Sequence, residues 1–293
     1  MRPGFVFILS FLVSLSLNGQ FDRRSKKYRL PSELREISGL AVLGDTLLAA
    51  INDGGNSPEI YFLTLNGSLV KRTTVLGSQN IDWEDLACDT RGNLFIADVG
   101  NNLNNRTDLH ILKISISEAL WQDSVVAARI DFSYPDQGAF PPPESDHRFN
   151  CEAIYWNNDS LFLITKNESK IQFKKGWNRS PRVYSVSDQP GPQRAQLRSE
   201  NVLKGFRFNR KGISELVTGA DFKNGRLVLL TYFKLLCFGA WNSEIQTLKV
   251  LSFFRVLQRE AITLSENGWV YIGAEHHRLL GGPFLIKKRI NAD

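Results

Sequence analysis

Cysteine and histidine are scarce in this chain, three and four residues among 293. Three thiols cannot all pair with one another. Cys88, Cys151 and Cys237 each fall in a stretch that reads as a strand, so a disulfide-stapled framework is excluded and buried free thiols are expected. Apolar packing, not cross-linking, must hold the fold. Amphipathic helix periods are scarce too, the best running from Ser117 to Asp123. There is no Gly-x-Ser-x-Gly elbow, P-loop, paired-Cys zinc site or dinucleotide fingerprint, which removes serine-nucleophile and nucleotide-fold readings.

Long apolar runs are missing with one exception. Arg2 precedes an apolar stretch from Phe5 to Leu15, and Asn18-Gly19 follows ahead of Gln20. This is the order of a secretory signal peptide, with cleavage before Gln20. The stretch is short for a bilayer span, an uncleaved anchor being the alternative. No Cys stands at the cleavage position, which argues against a lipid-anchored precursor. Residues 1–19 are therefore read as a signal peptide and 20–293 as one domain, secreted or periplasmic and without a membrane span.

The charge balance is mildly basic, 36 Lys and Arg against 30 Asp and Glu. The excess clusters at Asp22 to Arg29, at Arg194 to Lys211 and at Lys287-Lys288-Arg289. No nucleic-acid motif accompanies these clusters, so they read as solvated strand edges, where basic residues discourage sheet-to-sheet association. A monomer with no nucleic-acid partner is expected. Asn-x-Ser/Thr patterns at Asn66, Asn105, Asn158, Asn167 and Asn178 match glycosylation acceptors.

What the chain does contain is a repeat. A polar step leads into a small-residue apolar strand at Glu36-Ile37-Ser38-Gly39-Leu40-Ala41, Asp82-Trp83-Glu84-Asp85-Leu86-Ala87, Asn150-Cys151-Glu152-Ala153-Ile154-Tyr155, Val217-Thr218-Gly219-Ala220-Asp221-Phe222 and Arg259-Glu260-Ala261-Ile262-Thr263. After each comes a turn signal and a second run of branched and aromatic residues: Thr46 to Ile51, Asn93 to Asp98, Ser160 to Thr165, Arg226 to Thr231 and Trp269 to Ala274. Third strands follow, then weaker fourth strands at Leu69 to Val75, Ala128 to Tyr134, Ala195 to Val202 and Ile245 to Leu251. Four antiparallel strands repeated five times predict an all-β propeller. The last copy has no C-terminal fourth strand, and Lys27 to Leu30 is assigned there, closing the ring. The uneven spacing leaves room for a sixth blade within Pro135 to Arg148 or Lys166 to Arg179.

In a propeller the first strands line the channel, so equivalent positions form a ring. Ser38, Glu84, Glu152, Thr218 and Glu260 are the equivalents. Carboxylates converging in an apolar setting raise one another's pKa unless a cation binds. Calcium suits an all-oxygen set without Cys or His. The plainer alternative is that these acids cap strands or pair with Arg35 and Arg259.

The series Glu36-Ile37-Ser38, Glu84, Glu152 with Trp156, Thr218 and Glu260 resembles the calcium-activated apyrases, secreted five-bladed propellers that hydrolyse nucleoside di- and triphosphates. The resemblance implies that these residues surround a central calcium and that Lys166 stands where the family has an arginine facing substrate. The family's longer basic and aromatic substrate loops have no counterpart here. Ile51-Asn52-Asp53-Gly54-Gly55 and Asp98-Val99-Gly100-Asn101-Asn102 are similar to segments of the wider group of calcium-dependent six-bladed propellers that includes gluconolactonase, paraoxonase and esterase-like phytase relatives.

Loops joining second to third strands share a face with the start of each first strand. That face gathers Asn52, Asp53, Asn56, Asp98, Asn101, Asn102, Arg106, Lys166, Tyr232, Glu275, His276 and His277. Asp53 and Asp98 are candidates for general base or outer metal ligand, and Lys166, Arg106 and His276 for stabilising an anionic oxygen. Tight turns explain the Gly-rich segments equally well. The functional expectation is a calcium-dependent hydrolase of phosphate-containing or other ester or lactone substrates, with a small-molecule or anionic ligand on this face. The alternatives are a non-catalytic binding module with a structural calcium and a scaffold using its basic edges.

Overall fold

Each repeat folds into a small sheet whose first strand faces a common axis. The computed structural model describes residues 25–166, 181–200, 216–239, 247–252 and 258–290. The expected signal peptide, the sequons at Asn167 and Asn178, and most of the Lys166 to Arg179 insertion lie outside them, as do residues 201–211 of the second basic cluster.

The described residues form five sheets, one per repeat, arranged as a five-bladed β-propeller. The first strands are Ile37–Leu43, Trp83–Cys88, Asn150–Asn157, Val217–Lys223 and Arg259–Leu264. Each packs beside the next, and the fifth returns to the first. No sixth blade occurs among the described residues, and the Pro135 to Arg148 stretch contributes only a 3-10 turn at Glu144–Asp146.

The second strands are hydrophobic on successive residues because both faces of a blade are covered. In blade two, Leu94 and Ile96 pack toward blade one, while Phe95 and Ala97 pack toward blade three. Five apolar clusters result, one at each junction between neighbouring blades. Buried strands of this kind lose the polar alternation of a half-exposed sheet. The cysteines behave as the composition requires: none of the three is in a disulfide, Cys151 and Cys237 are buried, and Cys88 packs at the junction of blades one and two.

Blades one and two depart from the expected four antiparallel strands. Ser124–Val126 adds in parallel to the outer strand Leu69–Leu76, and Gly191–Arg194 adds in parallel to Ala128–Ser133. Each added strand comes from the following blade, so its chain covers an edge that would otherwise be open. The single α-helix among the described residues, Ile116–Trp121, leads into the first of these and is capped by the Ser115 hydroxyl accepting from the Glu118 amide.

The N-terminal strand Lys26–Arg29 pairs antiparallel with Phe284–Arg289 and completes blade five, as the missing fourth strand requires. Leu30, 3% exposed, is carried with it into the junction with blade one. Deleting the chain through Leu30 is expected to lower the melting temperature by roughly 5 to 10 °C, the effect of losing a buried leucine and one ladder. A melt within 1 to 2 °C of the full chain, roughly, would show that closure contributes little.

Candidate functional site

All five equivalent positions are β-bulges. The register between first and second strands slips by one residue between Ile37 and Gly39, Trp83 and Asp85, Cys151 and Ala153, Val217 and Gly219, and Arg259 and Ala261. The extra residue in each case is Ser38, Glu84, Glu152, Thr218 or Glu260. A bulge leaves its residue outside the ladder and re-aims the side chain, which explains how polar groups stand at the head of otherwise apolar strands. The ring named from the sequence is thus a repeated backbone device.

The members differ in what they bind. Ser38 Oγ donates to the Trp83 carbonyl (2.8 Å) and Thr218 Oγ1 to the Arg259 carbonyl (2.7 Å), so each hydroxyl ties its strand to the next blade. Glu152 is held on both oxygens: Asn150 Nδ2 donates to Oε1 at 2.7 Å, and Lys166 Nζ lies 2.7 Å from Oε2. Asn150 in turn accepts from the Asn101 amide and donates to Asn102 Oδ1, linking blade three to the blade-two loop. Glu84, only 5% exposed, accepts no hydrogen bond and makes no ion pair among the described residues.

Next along the first strands stand two further buried acids, Asp85 and Asp221. Asp85 accepts from the amides of Leu86, Ile154 and Ala220, reaching three blades at once. Asp221 accepts from the amides of Phe222 and Leu264 and from Thr263 Oγ1, while Thr263 Oγ1 accepts from the Val42 amide. The first strands have one edge facing the axis, and these side chains satisfy amides that would otherwise be buried without partners. Small residues at Gly39, Ala153, Gly219 and Ala261 admit the close approach; a Cβ on Gly39 would fall 2.9 Å from the Leu86 nitrogen.

Above the ring lies a second tier, set by the residue just past each second strand. Asp53, Val99 and Glu275 donate their amides across the pair to the carbonyls of Glu36, Asp82 and Gln258. Lys166 pairs with Asn150 in the same tier. Val99 packs into the apolar junction of blades two and three, whereas Asp53, Lys166 and Glu275 bring charge beside the ring acids. One oxygen each of Asp53, Asp82 and Glu84 lie within 4.8 Å of one another.

The same pairings place the other sequence candidates. Asp98 pairs with Trp83, one residue before the tier, and is fully buried. Its carboxylate meets Arg106 at 2.8 Å and accepts from the amides of Ile81 and Asp82. Asp98 therefore supports the segment carrying Asp82 and is not presented at the open face. His276, one residue beyond the tier, is exposed; its amide donates to the Arg35 carbonyl, and its ring makes no ion pair with the site acids among the described residues. Asp53 and Lys166 remain in the site, as does Glu275, which the sequence placed on this face, whereas Asp82 and Asn150 were not among the sequence candidates. The signal for them was the aligned hairpin, in which Asp82 and Asn150 stand opposite Val99 and Lys166 and Glu275 is the counterpart of Asp53.

The electrostatics follow from the crowding. Burial, then Glu152, Asp53 and Asp82, hold the Glu84 carboxyl well above its ordinary value. Burial and then Asp53 and Glu152 push Asp82 up to about 6 against the pull of Arg106. Burial and Glu152 raise Glu260 to about 7, and burial followed by Glu260, Asp53 and Glu36 raises Glu275 to about 9. Burial also raises Asp53, despite the Gly54 amide donating to it. For Lys166, burial works against the ammonium, but the Glu152 carboxylate more than offsets it and the pKa rises. Acids outnumber the bases in this cluster, and that imbalance is its defining chemical property.

The fold and site together define a five-bladed β-propeller with an acid-lined channel mouth. No protein-family model matches the chain, and no curated protein matches it. Among solved structures it is similar to the PQQ-bound aldose sugar dehydrogenase of Streptomyces coelicolor, with 10% identity over 90% of this chain and 98% of that one and a TM-score of 0.50. The apo-form aldose sugar dehydrogenase of Escherichia coli aligns at 11% identity, over 91% of this chain and all of that one, with a TM-score of 0.49. Virginiamycin B lyase of Staphylococcus aureus aligns at 12% identity, over 91% of this chain and 70% of that one, with a TM-score of 0.41. At such identities the likeness concerns the fold alone. Among the described residues no helix is long and apolar enough to cross a membrane.

Proposed function

We propose that this protein is an exported, calcium-binding β-propeller that hydrolyses a phosphate-containing, ester or lactone substrate at its loop face. The observation carrying the reading is the excess of buried carboxylates that the bulge ring and the tier above it bring to one place. Such an excess is costly in an apolar surround unless a cation joins it. The donors are oxygens without thiol or imidazole, and Glu84 is a buried acceptor with nothing bound to it among the described residues, which fits a hard cation such as calcium. Bound there, calcium would supply Lewis acidity and orient substrate and water.

The chain's own residues carry the remaining roles. Lys166, fixed by Glu152, presents positive charge to an anionic oxygen. Asp53, at the face and partly exposed, is placed to accept a proton from water. Asn150 and Asn102 hold Glu152 and the blade-two loop in register.

The test is turnover of nucleotides, phosphate esters and lactones by purified protein, with calcium and with chelator. Calcium-dependent hydrolysis reduced about 100-fold or more by Glu84→Gln is the expected result. The walling-in of Asp98 and the exposure of His276 favour a second reading, a non-catalytic module with a structural calcium. Melting loss on chelation without turnover across that panel selects it, and absence of any calcium effect rejects both.

A further inference from the structure

The channel mouth contains two acid groupings, and they are not equivalent. Glu152 already has a counter-ion, the Lys166 ammonium at 2.7 Å, whose side chain is 7% exposed. That ammonium acts on Glu260 directly after burial and Glu152, and only as the least of the influences on Glu84 and Asp53, while the cation acting on Asp82 is Arg106. A divalent ion on the axis would face this positive charge with little water to screen it, and like charges repel most where screening is weakest. Asp53, Asp82 and Glu84 lie to one side, at the junction of blades one and two.

Two independent features mark that junction. Glu84 is a carboxylate 95% removed from solvent that no donor satisfies among the described residues, although buried acceptors are ordinarily satisfied. The wall beside it is also built without side chains. A Cβ on Gly100 would overlap the carboxylates of Glu84 and Asp82, and a Cβ on Gly54 would come within 2.7 Å of Asp82 Oδ1. The Gly100 backbone is itself pinned, its amide donating to the Asp82 carbonyl and its carbonyl accepting from Arg106.

We infer that the cation seat of this protein is off the propeller axis, on Asp53, Asp82 and Glu84 between blades one and two, and that Lys166 fills the axial place with its own ammonium. This rests on the calcium reading above and adds where the ion binds and why the ring centre does not hold it. The glycines let the Asp82 and Glu84 carboxylates come close against the backbone, and the unpaired carboxylate provides the charge. Water completes a shell of about 6 to 8 oxygens around three carboxylates. Lys166 then acts as an internal cation that keeps the ring acids together whether or not calcium is present.

Calorimetric titration of the full chain with calcium chloride tests this. The wild type is expected to take up one ion. Asp82→Asn and Gly100→Ala are expected to weaken uptake by about tenfold or more, Glu152→Gln to leave it within about threefold, and Lys166→Met to add a second, axial ion. Melting of Asp82→Asn in chelator is expected to be no lower than wild type, since it removes repulsion, and separates a lost ligand from a lost fold. If Glu152→Gln and Lys166→Met abolish uptake while Asp82→Asn and Gly100→Ala leave it intact, the ion is axial; the inference falls and the calcium reading survives. If the wild type takes up no calcium, both fall together.

Discussion

In chelator, raising the pH from about 5 to about 9 is expected to lower the melting temperature by roughly 5 to 10 °C, and saturating calcium to remove most of that slope. The sign follows from the direction of the shifts. Asp82, Glu260 and Glu275 are raised in the folded protein, to about 6, 7 and 9, chiefly by burial and then by neighbouring acids. A carboxyl raised by folding binds its proton more tightly in the native state. The stability this provides is complete below the unfolded carboxylate range and is lost as the pH climbs through each folded value. Glu84 and Asp53 shift in the same direction and add to the slope. Calcium replaces the protons as the neutralising charge and so stabilises most at high pH. A melting temperature that is flat in chelator across this range would mean that the acids do not repel one another.

Asp85→Ala is expected to destabilise the protein by roughly 3 to 6 kcal/mol, the largest effect of any single acid in the channel, because it strands the amides of Leu86, Ile154 and Ala220 away from water. Against a usual margin of about 5 to 15 kcal/mol that is enough to unfold a large share of the molecules. Asp85→Asn keeps one carbonyl oxygen and turns an amide group toward the remaining donors, so it should fall between alanine and wild type in urea unfolding. A cost for alanine below about 1 kcal/mol would show that the three blades are held at this level by packing alone.

Glu84 and Asp85 are neighbours that the amino-acid order treats very differently. Glu84 was readable as a ring member because five aligned copies each place a polar residue at that point, and the bulges turn that regularity into geometry. Asp85, the next residue, has no acidic equivalent, since Gly39, Ala153, Gly219 and Ala261 occupy its place in the other copies. Its role as the tie among three blades becomes visible only when the first strands are brought together. Asp98 and His276 were drawn to the site by proximity to Asp53-type loops. Aligned on the hairpin pairings, Asp98 holds the position of Asn52, and Val99 and Glu275 hold the positions equivalent to Asp53.

The count of five blades over six came from the structure, whereas the propeller of four-stranded repeats, its closure by the N-terminal strand, the lack of a disulfide framework and the polar ring were determined by the order of residues alone. Each depends on local periods, on turn residues and on one count of missing strands, all of which act within a single repeat. Which acid meets a base and which is left without one was decided by the closed ring. Lys166 neutralises Glu152 across a hairpin of its own blade, whereas Asp53 and Glu84 approach from different blades and share no base in contact. Charge–charge energies depend on distance and burial in space, and neither is set until the last blade locks against the first.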